Sequence, residues 1–276
     1  MHRFLMGVLS IGLAAELACA QAEVTKYVRY SVDGQASYGV LDGEAIQELE
    51  GDLFDAPRAT GRTLRLSDVR LLPPCLPSKV IAVGLNYQSH LGEREPAEYP
   101  GLFAKYPTSI VGHEAEIVMP PDAGNLHYEG ELVIVMGREA TNVSPDDAAE
   151  YVFGVTAGND VSERDWQRSD LQWLRAKASD TFGPIGPTIV TGLNHNDLLV
   201  QTRVNGEIRQ SERSSDLIFD VETIVSYVSR YVTLMPGDVI FTGTPGSTQA
   251  MQPGDVVEVE VEGVGVLRNT VVAVHN

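Results

Sequence analysis

With 276 residues, 43% of them hydrophobic, the chain has enough apolar material for one large domain, or a main domain with a smaller appendage, and is neither disordered nor fibrous. Its 38 acidic and 20 basic residues give a formal net charge of -18, which excludes nucleic acid as a partner because its phosphates would be repelled. An anionic substrate would need a local positive centre.

The first residues, MHRFLMGVLSIGLAAELACAQAE, read as an export signal: a basic start at Arg3, an apolar stretch from Phe4 to Ala15, and Ala18-Cys19-Ala20 as a small-residue cleavage site. A lipoprotein reading through Cys19 fits less well, because Glu16 stands where an apolar residue belongs. The plain alternative is a core helix of the folded domain, in a cytoplasmic protein. Loss of residues 1–20 would remove Arg3 and Glu16, one charge of each sign, so a periplasmic or secreted product would keep its charge of -18. It would also leave Cys75 alone, unable to form an intrachain disulfide. No later segment is apolar enough to span a membrane.

Residues 21–72 read as a small antiparallel β region, with the β-prone runs VTKYVRY and ASYGVL punctuated by Asp33-Gly34 and Asp42-Gly43, dipeptides that supply the positive φ angles of hairpin turns. Pro73, Pro74 and Pro77 make residues 73–78 a linker, and the main domain runs over residues 79–276. Within it KVIAVG, EGELVIVMG and YVFGVTAGND read as strands. Side chains alternate along a strand, so in HYEGELVIVMG Glu129 and Glu131 point the same way as Val133 and Val135, while Leu132, Ile134 and Met136 fill the other face. Both faces read as buried. Ser144-Pro145-Asp146-Asp147 has the form of a helix start, which accounts for Asn142-Val143-Ser144 without glycosylation. Pro236-Gly237-Asp238 and Pro253-Gly254-Asp255 each precede a β-rich run, as successive turns of a meander would. The fold class is α+β, dominated by β.

Ionised carboxylates removed from water cost several kcal/mol each unless compensated. For Glu129 and Glu131 the compensation is a pair of cations, protonation of one acid, or a hard divalent metal ligated by oxygens; the bland reading is an exposed strand end. Asp160 closes the strand in GNDVSERDWQ and would supply a third oxygen, while Ser162-x-x-Asp165 offers a helix start that sets Arg164 and Gln167 on one face. In LNYQSHLGE, His90 and Glu93 stand three apart, so one helical turn would pair a carboxylate with an imidazole as a general-base dyad, a spacing also common in exposed helices. Lys177 lies among Gly183, Pro184, Gly186 and Pro187, which predicts a rigid non-helical loop that presents the lysine to a carboxylate or enolate. FTGTPG offers backbone amides and Thr244 to an oxyanion.

In order and wording, KVIAVGLNYQSHLGE, LFAKYPTSIVG, LHYEGELVIVMGRE, GVTAGNDVSERDWQ, KASDTFGPIGP and LMPGDVIFTGTPG resemble the fumarylacetoacetate hydrolase family, over about residues 79 to 272, in its acylpyruvase and 2-hydroxyhepta-2,4-diene-1,7-dioate isomerase-like branch. The resemblance implies a rolled mixed β-sheet and a homodimer. It places Glu129, Glu131 and Asp160 where the family binds Mg²⁺ or Mn²⁺, sometimes Ca²⁺. It matches His90 and Glu93 to the family's His-Glu dyad, Lys177 to the lysine near the substrate, and Arg164, Gln167 and Thr244 to the substrate pocket. Phe103 and Lys105 match a segment that closes over the site. The short N-terminal part, unlike that of the eponymous enzyme, argues against fumarylacetoacetate as the substrate.

The implied activity is metal-dependent hydrolysis of a C-C bond in a 2,4-dioxo acid, with water activated by His90 and Glu93 and an enolate stabilised by the metal and Lys177. Isomerisation or hydration of unsaturated 2-oxo diacids, and decarboxylation of oxaloacetate, draw on the same enolate chemistry. An exported binding protein that keeps the metal and pocket without turnover is the alternative of another class, although a binder has no evident use for a base.

Overall fold

The computed structural model describes residues 23–274, so the expected export signal lies outside the described residues. One large mixed sheet of twelve strands forms the frame. Its main path runs through Arg58–Arg65, Ala45–Glu50, Gln35–Asp42, Thr25–Val32, Gly183–Thr191, Val152–Asn159, Gly130–Met136, Val239–Phe241, Val80–Gly84 and Gly101–Lys105. A second sheet of five strands is ordered Glu207–Arg213, Leu199–Val204, Val256–Val261, Gly265–Ala273 and Glu116–Met119.

The strands of the N-terminal region pair antiparallel in chain order. Asp33 and Gly34 turn its first hairpin with φ angles of 52° and 78°. Its first strand also pairs antiparallel with Gly183–Thr191, through Thr25 to Thr191 and Tyr27 to Ile189. The piece is therefore continuous with the main sheet, because Tyr27 is an ordinary ladder residue there.

Alternation along Gly130–Met136 sorts its side chains into two cores. Leu132, Ile134 and Met136 pack with Val200, Val259, Val261 and Leu267 of the second sheet and with Val221, Ile224, Val225 and Val228 of the helix Val221–Ser229. Val133 and Val135 join Val80, Val239, Phe241, Ile185 and Ile189 on the other face. With neighbours on both edges and both faces, this strand is a fixed support for the two glutamates at its start.

Gly130 separates those glutamates and sits against the second sheet. A Cβ there would stand 1.9 Å from the Thr202 hydroxyl oxygen, and Thr202 is fully buried. Gly130→Ala is expected to cost about 1–3 kcal/mol through overpacking, measurable as a lower denaturant midpoint. An unchanged midpoint would show that Thr202 moves aside freely.

Turn chemistry assembles one edge of the main sheet. Val239–Phe241 runs antiparallel to Gly130–Met136 and parallel to Val80–Gly84, so Gly243, Glu131 and the segment after Gly84 meet at that edge. Asp160 follows the strand that pairs Asn159 with Gly130. Asn86 fastens the segment after Gly84: its amide donates to the carbonyls of Thr242 and Phe219 at 2.8 and 3.0 Å, and its oxygen accepts from the Phe219 amide at 2.8 Å.

Candidate active site

At this edge Glu129, Glu131 and Asp160 are all buried, and each offers a carboxylate oxygen within 4.8 Å of the others. Their backbones are stitched together, for the Asp160 amide donates to the Glu129 carbonyl at 2.8 Å and the Glu129 amide to the Asn159 side-chain oxygen at 2.9 Å. Three buried acids in this volume require positive charge. Lys177 supplies part of it, with its ammonium 2.5 Å from Glu129 Oε2 and 2.6 Å from Asp160 Oδ2. Arg164 bonds the other Glu129 oxygen, and Lys105 donates to Asp160 Oδ1 at 2.5 Å.

The compensation is uneven. Burial would raise the Glu129 carboxyl, but Lys177 and Arg164 outweigh it and hold Glu129 well below the usual carboxylate range. Burial also opposes the charge on Lys177, yet Asp160 and Glu129 raise its pKa. Lys105 is lowered because its burial outweighs Asp160. Among the described residues Glu131 makes no ion pair, and its one hydrogen-bond donor is the Gly243 amide, at 2.7 Å. Burial first, then Asp160 and Glu129, push its carboxyl well above the ordinary range. An oxygen-only donor set with a local deficit of positive charge at Glu131 fits a hard divalent cation.

These carboxylates form the floor of a cavity of about 240 Å³, whose walls include His90, Arg94, Phe103, Arg164, Gln167, Trp173, Lys177 and Thr244. Arg164 donates to Gln167 at 2.7 Å, the pairing expected from their spacing. Phe103 meets Trp173 edge-on, with ring centroids 5.4 Å apart, and lies 5.1 Å from the Lys177 ammonium. The Thr244 hydroxyl donates to the Gly130 carbonyl at 2.9 Å, and Gln210 donates to the same hydroxyl at 2.8 Å.

Four local expectations need correction. Lys177 is on a short helix, Leu174–Ala178, rather than a non-helical loop; the glycines and prolines fall in the following strand Gly183–Thr191. Lys105 is no part of a closing segment: it lies in a paired strand, its ammonium is 5.9 Å from the Phe241 ring centre, and that buried ammonium is divided between Asp160 and the Lys177 carbonyl, outside the cavity wall. The helix after Asp160 is capped by Glu163, whose side chain accepts from the Trp166 amide at 2.7 Å, while Ser162 donates to the Asp160 carbonyl.

The fourth concerns the dyad. His90 and Glu93 do not meet, because the helix Gln88–Leu91 ends at Gly92, whose φ of 71° turns the chain and leaves Glu93 exposed. His90 is oriented instead by the Gly246 carbonyl, 2.6 Å from Nδ1, and the Gly246 amide donates to Ser89 at 2.8 Å. A carbonyl only accepts, so Nδ1 carries a proton, and Nε2, 3.7 Å from Glu129, is the nitrogen left to exchange one at the cavity.

Sequence reading also missed the support behind Arg164. The guanidinium donates to Thr248 Oγ1 at 2.9 Å, and the same oxygen lies 2.8 Å from His127 Nδ1. His127 Nε2 is 2.8 Å from the Asn125 side-chain oxygen. Burial and the nearby Arg164 charge push His127 down to about 4, so it is a neutral link in this chain. Its place at the head of HYEGELVIVMG was the available signal.

Residues 79–272 match the family described as fumarylacetoacetate (FAA) hydrolase C-terminal, and residues 25–74 match one described as Rv2993c-like, N-terminal. The chain belongs to the fumarylacetoacetate hydrolase family. It is 45% identical over 255 residues to Mycobacterium tuberculosis protein Rv2993c, covering 88% of this chain and 96% of that protein. Human mitochondrial oxaloacetate tautomerase FAHD2A is 39% identical over 246 residues, covering 82% and 78%. A crystal structure of 2-hydroxyhepta-2,4-diene-1,7-dioate isomerase from Mycobacterium marinum superposes with a TM-score of 0.86 at 42% identity, covering 91% of this chain and all of that one. These likenesses agree with the β-dominated mixed-sheet fold.

Proposed function

We propose that the protein moves a proton on the carbon beside the keto group of a 2-oxo acid, interconverting keto and enol or isomeric unsaturated forms. The observation that carries this reading is His90, held through Nδ1 by the Gly246 carbonyl, with its Nε2 left for proton exchange beside a floor of three carboxylates and a lysine. Glu129, Glu131 and Asp160 would hold Mg²⁺ or Mn²⁺. The bound ion would supply positive charge beside the oxygens on which an enolate develops.

The rest follows from the chain's own groups. His90 Nε2 accepts the proton from carbon and returns it, and the Gly246 carbonyl keeps the imidazole in the tautomer that can do so. Lys177, pinned by Glu129 and Asp160, directs its charge into the cavity and opposes the growing negative charge. The Phe103 and Trp173 rings give the cavity wall an apolar side. One base suffices for this reaction, which is why the separation of Glu93 from His90 favours it over the hydrolytic scheme expected from the sequence.

C-C hydrolysis of an acylpyruvate is the second reading, and one observation favours it. A side lobe of about 370 Å³ adjoins the cavity and is lined by Leu85, Leu102, Phe103, Leu171 and Trp173, apolar groups suited to an acyl tail. On the other side, the human relative is named a tautomerase and the M. marinum relative an isomerase, and both names support proton transfer.

The purified protein with Mg²⁺ or Mn²⁺ should speed the enol-to-keto decay of oxaloacetate, followed by ultraviolet absorbance, and EDTA should abolish the effect until metal is restored. Turnover that EDTA leaves intact would refute the reading. Release of pyruvate from acylpyruvates, without tautomerisation, would put hydrolysis in its place.

A further inference from the structure

Three guanidinium or ammonium groups face the cavity, and two are already committed to carboxylates: Lys177 to Glu129 and Asp160, Arg164 to Glu129. Arg94 is different. Only its Nε is used, donating to the Leu91 carbonyl at 2.9 Å, and among the described residues no carboxylate pairs with it. That bond fixes the plane of the guanidinium while leaving its two terminal nitrogens for an incoming group. The segment beneath it is tied down as well, with Gln88 donating to the Gly92 carbonyl at 2.8 Å. A planar, fixed fork with two free nitrogens is the geometry that grips a carboxylate in bidentate fashion.

Its place relative to the base matters. Arg94 follows His90 by four residues, across the turn at Gly92, so base and guanidinium approach the cavity from the same segment. A 2-oxo acid held at its keto end by the floor would extend its far end toward Arg94, with the carbon in between beneath His90. A far end that is a carboxylate would meet the one uncommitted cation of the wall. An apolar far end would turn instead into the side lobe, whose lining contains no charged residue.

Building on the proposed proton transfer, we propose that Arg94 is the specificity-determining residue of this site: it reads a second carboxylate on the substrate and so selects 2-oxo dicarboxylates over 2-oxo monocarboxylates.

The test compares oxaloacetate with its 4-methyl ester, in which the far charge is absent, using wild type, Arg94→Met and Arg94→Lys. Arg94 is exposed, and unchanged thermal unfolding of the variants would confirm intact folding. The expected result for Arg94→Met is a rise of about 10- to 100-fold in KM for oxaloacetate with kcat within about 2-fold, and no change in KM for the ester. Arg94→Lys should recover part of the loss. Equal effects on both compounds, or none on either, would overturn the proposal. If wild type turns over neither compound, the proton-transfer reading fails while the role of Arg94 is still decided by binding. Quenching of Trp173 fluorescence then gives Kd, and the diacid must bind wild type at least about 10-fold tighter than Arg94→Met for the proposal to stand.

Discussion

Replacing Glu131 by glutamine is expected to lower kcat/KM by about 10³-fold or more and to abolish tight Mg²⁺ or Mn²⁺ binding, yet to make the EDTA-treated protein more stable at neutral pH. The two effects share one cause. Glu131 is buried beside two other acids and, among the described residues, is ion-paired with none of the nearby cations and bonded only by the Gly243 amide, so its charge is costly until a divalent ion is bound. The sign of the pH dependence follows. In the unfolded chain this carboxyl ionises near its ordinary value of 4.5, whereas in the folded protein burial and its neighbours raise it well above that. As pH rises past about 4.5 the unfolded chain loses a proton that the folded protein keeps, so this group's contribution to stability falls until the raised folded pKa is passed. Thermal unfolding of EDTA-treated wild type should therefore show a decline over that window which Glu131→Gln lacks. Metal titration by calorimetry gives the second readout. A glutamine variant that binds metal like wild type would remove Glu131 from the ligand set.

His90→Ala is expected to reduce kcat by about 10²- to 10⁴-fold, the usual contribution of a positioned base, with metal affinity nearly unchanged. The imidazole touches the carboxylate group only at 3.7 Å from Glu129, so its loss leaves the ligands in place. Glu93→Gln provides the contrast. If Gly246 alone sets the tautomer, this variant should retain turnover within about 2-fold; a loss as large as that of His90→Ala would show that Glu93 joins His90 during the reaction and would revive the hydrolytic dyad.

What could be read from the sequence, and what could not, divides along physical lines. Glu129, Glu131 and Asp160 were legible because acids in apolar strands contradict local burial, and a contradiction of that kind can be seen without coordinates. The two faces of Gly130–Met136 were legible for the same reason, since the strand period is fixed. The partnership of His90 was not. It depends on whether a helix continues past Gly92, and one residue at positive φ exchanged a side-chain partner three positions away for a carbonyl 156 residues on. Lys105 was misplaced because the lodging of its ammonium between Asp160 and the Lys177 carbonyl is a tertiary fact, invisible in the motif LFAK. Arg94 was overlooked because nothing in the sequence separates it from other surface arginines; its place on the cavity wall is a tertiary fact.

The cluster of acids stands on paired, doubly covered strands, while Leu85, Arg94, Leu171 and Trp173 come from segments outside the sheet's ladders. The acid floor and much of the mouth are thereby mounted on separate parts of the molecule. Changes at the mouth can accumulate without loosening the floor, so descendants of one reaction can spread to new substrates by single steps. A library confined to residues 85, 94, 171 and 173 is the natural place to redirect this enzyme.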